Sequence, residues 1–279
     1  MRSDYLQGKV ALVTGAGRPA GLGQEIARRL GQCGARVLIH DRGAVEGEVA
    51  PRHGVGTTET LETVADELRL EGIEISTVTG DLRDAAQVER IVETAVEKLG
   101  RIDILVNNAG IGYLFGPLVE LKPENWDAVL DVNLRAPALA TSIAARHMIS
   151  QGEGGRIINI ASQAAKTGFA FATAYTASKH GLLGLTRSTA LELGQHGITV
   201  NAICPNHVTT GLGAWQNEFM SKVRGQTMDA YLEEMRSRIP MGRTGTPEDT
   251  AAVAAFLCSP EASYITAEAI NVSGDEEYH

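Results

Sequence analysis

Tyr175 and Lys179 stand four residues apart in Ala174–His196, a stretch whose apolar spacing predicts a helix, so the two side chains share one helical face. A phenol, with a pKa of about 10, is a poor base at neutral pH, but an ammonium group beside it favours the phenolate and makes proton exchange feasible. Taken alone, such a pair is common and reads by default as two exposed surface residues. A second segment with chemical potential is Thr14-Gly15-Ala16-Gly17-Arg18-Pro19-Ala20-Gly21-Leu22-Gly23, set between a strand pattern and a helix pattern. Glycine permits the tight turn and lets the backbone approach a pyrophosphate, while a helix N-terminus offers free N–H groups and a positive dipole end. Asp41 follows Gly15 by 26 residues, at the end of the second predicted strand. A carboxylate there accepts hydrogen bonds from both ribose hydroxyls of NAD and repels the 2′-phosphate of NADP. Arg18 and Arg42 pull the other way, since each could attract that phosphate. The expected cofactor is NAD.

These residues need elements to hold them. Val10–Thr14, Arg36–His40, Ile73–Val78, Ile102–Asn107, Arg156–Ile160, Thr199–Ile203 and Ala269–Val272 read as strands. Leu22–Gln32, Thr58–Glu71, Ala85–Leu99, Pro123–Ser150, Ala174–His196 and Pro247–Ser259 read as helices. Near-continuous apolar strands joined by helices predict an α/β fold, a Rossmann-type doubly wound parallel sheet of about seven strands with helices on both faces. No linker or repeat interrupts the pattern, so a single domain over 1–279 is expected. Two segments break the rhythm. Arg42–Thr57 is Gly-rich and reads as an extended loop. Val208–Pro240 holds Trp215, Phe219, Met220, Met228, Tyr231 and Met235, and reads as a substrate lid or as a helical flap packed on a neighbouring subunit.

The 279 residues carry a formal charge of −9, which argues against a nucleic-acid surface, since that needs a basic stripe. Cys33, Cys204 and Cys258 are widely spaced and odd in number, so neither a disulfide framework nor a zinc site is expected. The N-terminus lacks the apolar core of a signal peptide, and no stretch approaches a membrane span. The expectation is a cytoplasmic protein with no membrane partner. The histidines show no metal spacing, so no metal is expected.

Across Lys9 to about Gly274 the chain resembles the short-chain dehydrogenase/reductase family. The resemblance rests on the Gly15-to-Gly23 turn, Asp81-Leu82, Asn107-Asn108-Ala109-Gly110, Asn133, Ser162 placed 13 residues before Tyr175, Lys179, and Pro205 followed by Thr210. It implies that Tyr175 exchanges the proton of a reacting carbonyl or alcohol. It further implies that Lys179 lowers the Tyr175 pKa and bonds the nicotinamide ribose, and that Ser162 hydrogen-bonds the reacting oxygen. Asn133 would hold a water of a proton relay. Gly15, Gly17, Arg18, Gly21, Leu22 and Gly23 would meet the pyrophosphate. Asp81 and Leu82 would meet adenine, Asn108, Ala109 and Gly110 its ribose, and Pro205, Val208 and Thr210 the nicotinamide. Asn107 reads rather as a link between strands. The family commonly forms homotetramers or homodimers through two long helices, here Pro123–Ser150 and Ala174–His196.

The chain also departs from the family pattern. Pro19-Ala20 lengthens the turn by two residues, and Asn206-His207 follows Pro205 where glycine is common. Asn206 and His207 suggest a polar substrate, such as a sugar, polyol or hydroxy acid, with a solvated turn, or His207 packed under the lid, as the plainer reading. The leading expectation is an NAD(H)-dependent oxidoreductase that moves a hydride between nicotinamide and a secondary alcohol or ketone. The alternatives are an NADPH-dependent carbonyl or 3-oxoacyl thioester reductase, and a non-catalytic nucleotide-sensing scaffold.

Overall fold

Strand β1, Val10–Thr14, is apolar on both sides, and both sides are covered: Ala11 and Val13 face one hydrophobic core, Val10 and Leu12 the other. The computed structural model describes residues 4–43, 56–208 and 210–276. Seven strands form one parallel sheet in the order β3-β2-β1-β4-β5-β6-β7, with β2 at Arg36–Asp41, β3 at Ile75–Thr79, β4 at Ile104–Asn107, β5 at Gly155–Ile160, β6 at Ile198–Pro205 and β7 at Ala269–Val272. Helices α1 (Leu22–Gln32), α2 (Thr58–Leu70) and α9 (Pro247–Cys258) pack on one face. On the other lie α3 (Ala85–Leu99), α5 (Ala136–Gln151) and α6 (Thr173–Leu193). The strand order reverses between β1 and β4, and the crevice beyond their C-terminal ends is where such a sheet takes its ligand.

The expected Pro123–Ser150 helix is not continuous. It divides into α4 (Pro123–Leu130), one π-helical turn at Asp131–Arg135 and α5. A π turn widens the backbone hydrogen-bond ladder by one residue and re-aims the side chains it carries; here it carries Asn133. The 208–240 excursion folds as two helices, α7 (Gly211–Val223) and α8 (Met228–Arg238), each capped at its start by a threonine, Thr210 and Thr227. Of the Arg42–Thr57 loop only its two ends are described, so the extended-loop expectation lies outside the described residues.

A buried polar ladder links the middle of the sheet to the helices. Asn107 donates to Asn159 Oδ1 at 2.8 Å and to Thr141 Oγ1 at 3.3 Å, and Asn159 donates to Thr186 Oγ1 at 2.9 Å. Asn107 thus acts as the link between strands that its type suggested. Among the described residues no helix is long and apolar enough to cross a membrane. Cys33, Cys204 and Cys258 are buried free thiols.

Candidate active site

Asn108 ties the glycine turn to β4. Its Nδ2 donates to the carbonyls of Thr14 at 2.8 Å and Gly15 at 2.9 Å, while the Thr14 hydroxyl accepts from the N–H groups of Asn108 and Ala109 at 3.1 Å. The approach is so close that a Cβ on Gly15, whose φ is +68°, would stand 2.6 Å from the Ala109 Cα. Pro19-Ala20 is accommodated as an outward turn. Ala20 takes the left-handed conformation, its N–H donates to Gln24 Oε1 at 2.7 Å, and Gly21 N–H returns to the Arg18 carbonyl at 3.1 Å. Gly21 therefore still begins α1, with no side chain capping it. The first-turn N–H groups remain available for an anionic oxygen.

Asp41 is 7 % exposed, and its Oδ2 accepts the Gly17 N–H at 2.8 Å while Oδ1 accepts the Arg42 N–H at 2.8 Å. The Arg42 guanidinium turns to Asp81, 3.1 Å away, and Arg83 joins the same carboxylate at 2.6 Å. Burial opposes ionisation of Asp81, but the hydrogen bonds and charges of Arg83 and Arg42 outweigh it and hold the carboxyl below its ordinary range. Asp41, Asp81, Leu82 and Asn108–Gly110 line one wall of a single cleft of about 1010 Å³, which also takes in Gly15, Arg18, Gly21, Leu22 and Gly23. Gly17 lies behind Asp41 rather than in the cleft wall.

At the far end of the cleft stand Ser162, Tyr175, Lys179, Pro205, Asn206, His207, Val208 and Thr210. Lys179 is 4 % exposed. Its Nζ lies 5.6 Å from the centre of the Tyr175 ring and donates to the Ile160 carbonyl at 2.7 Å. Burial pulls the Lys179 ammonium down to about 8, and burial pushes the Tyr175 phenol up against the lowering effect of its hydrogen bond with Ser162. The expected lowering of the phenol by the ammonium is thus not the dominant effect. Instead, desolvation moves the two proton affinities apart, the phenol upward and the ammonium downward, each toward its neutral form. Ser162, which follows β5, also accepts the Ala164 N–H at 3.1 Å.

The Asn133 side chain bridges two elements beside Lys179. Its Oδ1 accepts the Ile111 N–H at 2.7 Å, and its Nδ2 donates to the Ile111 carbonyl at 2.9 Å and to Ser178 Oγ at 3.1 Å. The amide is a clamp that fixes the loop after β4 against α6, close to where Gly110 faces Lys179.

Asn206 and His207 also depart from expectation. Asn206 donates to the Glu276 carboxylate, and His207 Nε2 lies 3.5 Å from the same oxygen. Glu276 also pairs with Arg238 of α8 at 3.2 Å. Burial keeps the His207 imidazolium disfavoured despite the nearby Glu276 charge. A carboxylate from the chain itself therefore occupies the groups assigned to a polar substrate. The substrate end is instead largely apolar, with Phe115, Leu212, Met220 and Met235 among its lining. Behind it Trp215 and Phe219 stack at 5.7 Å, and both reach Phe115, at 5.6 and 5.9 Å. This cluster fastens α7 over the cleft.

Sequence reasoning missed Phe115, Arg83, Gln163 and Glu276. Gln163 had a signal in its position next to Ser162; Phe115 and Glu276 had none, since only folding brings them near. Among the described residues no group of His, Cys, Asp and Glu could hold a metal.

A family model described as enoyl-(acyl carrier protein) reductase matches residues 15–274. A short-chain reductase of Streptomyces niveus is 40% identical over 268 residues, covering 96% of this chain and 94% of its own. Among solved structures, an actinorhodin polyketide ketoreductase variant with NADPH superposes with a TM-score of 0.88 at 38% identity, covering 97% of this chain and 98% of that one. Carveol dehydrogenase of Mycobacterium avium, in complex with NAD, gives a TM-score of 0.88 at 30% identity, covering 98% and 99%.

Proposed function

The chain belongs to the short-chain dehydrogenase/reductase family, and from that premise we propose that it interconverts a ketone and a secondary alcohol, with Tyr175 as the proton-exchanging residue and NAD(H) as cofactor. The observation that carries the reading is one cleft joining a phosphate-type turn at Gly15–Gly23 to a buried Tyr175–Lys179 pair beside Ser162. The turn fits a dinucleotide, because the glycine backbone is packed too closely for side chains and the first turn of α1 is uncapped. When bound, the nicotinamide supplies the hydride.

The chain's own residues supply the proton and the orientation. The Tyr175 hydroxyl donates to the carbonyl oxygen in reduction and takes the proton back in oxidation. Ser162 holds the same oxygen and stabilises the charge developing on it. Lys179, drawn down to about 8, exchanges protons near neutral pH and faces the cofactor ribose. Asn133 keeps the Ile111 loop in register with that helix. Pro205, Val208 and Thr210 flank the nicotinamide, and Thr210 starts the lid helix α7 that excludes water.

Asp41 favours NAD(H), because a buried carboxylate lies where a 2′-phosphate would have to sit. A second reading, an NADPH-dependent carbonyl or 3-oxoacyl thioester reductase, is favoured by Arg18, which lines the cleft, and by the polyketide ketoreductase relative solved with NADPH. The reducing direction draws further support from that relative.

A homodimer or homotetramer through α4–α5 and α6 is part of the proposal. Ala136, Ala140, Ala144 and Ala145 are buried within the chain itself, while Gly184 opens onto free space and Leu191 is exposed on α6. Sedimentation at several concentrations reads the assembly.

The test of the reaction is Tyr175→Phe. Ketone-dependent oxidation of NADH should fall about a thousandfold or more while NADH binding, read by fluorescence, stays within about threefold. Equal activity in wild type and variant would overturn the reading.

A further inference from the structure

Glu276 lies beyond the last strand, β7, yet its side chain is only 13 % exposed. A carboxylate leaves water at a cost unless other groups replace the solvent around it. The groups that do so here come from two separate parts of the molecule. Oε2 accepts from Asn206 and lies 3.5 Å from His207 Nε2, both in the turn that follows β6. Oε1 lies 3.2 Å from Nε of Arg238, the last residue of α8. The backbone makes the same two connections. The Met241 N–H donates to the Gly274 carbonyl at 3.3 Å, and the Asn206 N–H donates to the Val272 carbonyl at 3.2 Å. A Cβ on Gly274 would stand 2.7 Å from Ile239 Cγ2. The segment after β7 is thus wedged between the end of α8 and the turn after β6.

Both of the parts it joins border the cleft. Asn206 and His207 line it, and so do Met228, Tyr231, Leu232 and Met235 of α8. Neither Glu276 nor Arg238 belongs to that lining. Arg238 extends the connection into the rest of the lid. Its guanidinium also lies 3.4 Å from Glu234, which pairs with Arg224 at the end of α7 at 2.8 Å and accepts from Gln226 at 2.7 Å. Glu234 is 41 % exposed, so its pairs contribute little by themselves. Solvent and salt screen the buried Glu276 far less.

We propose that Glu276 is a positioning residue for the substrate end of the cleft: its one carboxylate, held by Arg238 of the lid and by Asn206 and His207 of the turn, sets the spacing between the two. It touches neither substrate nor cofactor and takes no part in proton transfer. With the carboxylate in place, the methionine-bearing face of α8 is assembled before a ketone arrives. Without it, binding must also order α8, and affinity falls by the cost of that ordering.

The test uses the full chain as wild type, Glu276→Gln, Arg238→Met, Arg238→Lys and the double variant Glu276→Gln with Arg238→Met. Hydrogen exchange without ligand, read by mass spectrometry, compares peptides from Met228–Arg238 with peptides from Ala136–Gln151 in the core. Loss of the charged hydrogen bond should speed exchange in α8 about tenfold in Glu276→Gln and in Arg238→Met. The core peptides should not change, the double variant should add nothing further, and Arg238→Lys should return most of the protection.

Steady-state reduction of hexanophenone, 2-octanone and cyclohexanone, with whichever reduced nicotinamide the wild type uses, is the second readout; this arm rests on the ketone-reduction reading above. The KM for an accepted ketone should rise about fivefold or more in Glu276→Gln and Arg238→Met, with kcat within about twofold, and Arg238→Lys should recover it. Unchanged exchange in α8, or single-variant effects that add in the double variant, overturns the proposal. Faster exchange with an unchanged KM overturns it too, since the contact then serves stability alone, as does a fall in kcat in place of the rise in KM. No reduction of any of the three ketones, despite cofactor binding, counts against the reaction reading instead, and the spacing role then stands or falls on the exchange result.

Discussion

Replacing Asp41 by asparagine removes one negative charge and changes almost nothing else in shape. The asparagine oxygen can still accept the Gly17 N–H, now held by Oδ2 at 2.8 Å, so the glycine turn keeps its anchor, while the bond that Oδ1 accepts from the Arg42 N–H is given up. Alanine at this position would lose that anchor as well and mix two effects. With the carboxylate, a charged hydrogen bond to a ribose hydroxyl contributes about 1.5–3 kcal/mol, which asparagine retains only in part. A 2′-phosphate would meet the carboxylate at roughly 5 Å, where two unit charges repel by about 3 kcal/mol at an effective dielectric near 20. Arg42 softens that repulsion little, because its guanidinium is already turned to Asp81. Together these effects predict that kcat/KM for NADH falls about tenfold or more in Asp41→Asn while that for NADPH rises about tenfold or more. The ratio should therefore move about a hundredfold. Initial velocities with each cofactor at a fixed ketone concentration, with dissociation constants from nicotinamide fluorescence, measure it. A ratio that moves less than about threefold, or a wild type that already prefers NADPH strongly, would refute the electrostatic argument for Asp41.

Two other perturbations test neighbouring claims. With Lys179 at about 8, oxidation of the alcohol, which releases a proton through the Tyr175–Lys179 pair, should rise as pH increases through that value, and reduction, which takes up a proton, should fall. Opposed pH–rate limbs in the two directions are the check, and Lys179→Met should abolish both. Asn159→Ala removes the stronger of the two acceptors of the Asn107 amide and the donor to the Thr186 hydroxyl at a fully buried position. It should cost about 2–4 kcal/mol and lower the melting midpoint by roughly 5–10 °C, while an unchanged midpoint in a thermal scan would show the ladder to be dispensable.

Much of this protein was legible in its residues because the decisive signals are local. The runs of Val, Ile and Leu in β1, β2 and β4 have no polar alternation, which only a sheet covered on both faces can satisfy. The glycine turn is dictated by backbone sterics, and Tyr175 and Lys179 share a face because four residues make about one helical turn. Element ends moved by a residue or two, as at β3 and β6, since fraying depends on neighbours.

Tertiary structure decided what depends on distant groups meeting. The π turn that re-aims Asn133 arises where the α4–α5 helix must also satisfy Ile111 and Ser178, 22 and 45 residues away. The fate of Asn206 and His207 was set by Glu276, 70 residues from Asn206, whose carboxylate claims the groups that a polar substrate would have used. The proton affinities of Tyr175 and Lys179 follow from burial, a property of the packed molecule rather than of their spacing. Sequence determined which chemical groups the molecule owns and which neighbours along the chain share a face; folding alone determined which of them are still unpaired when the core has closed.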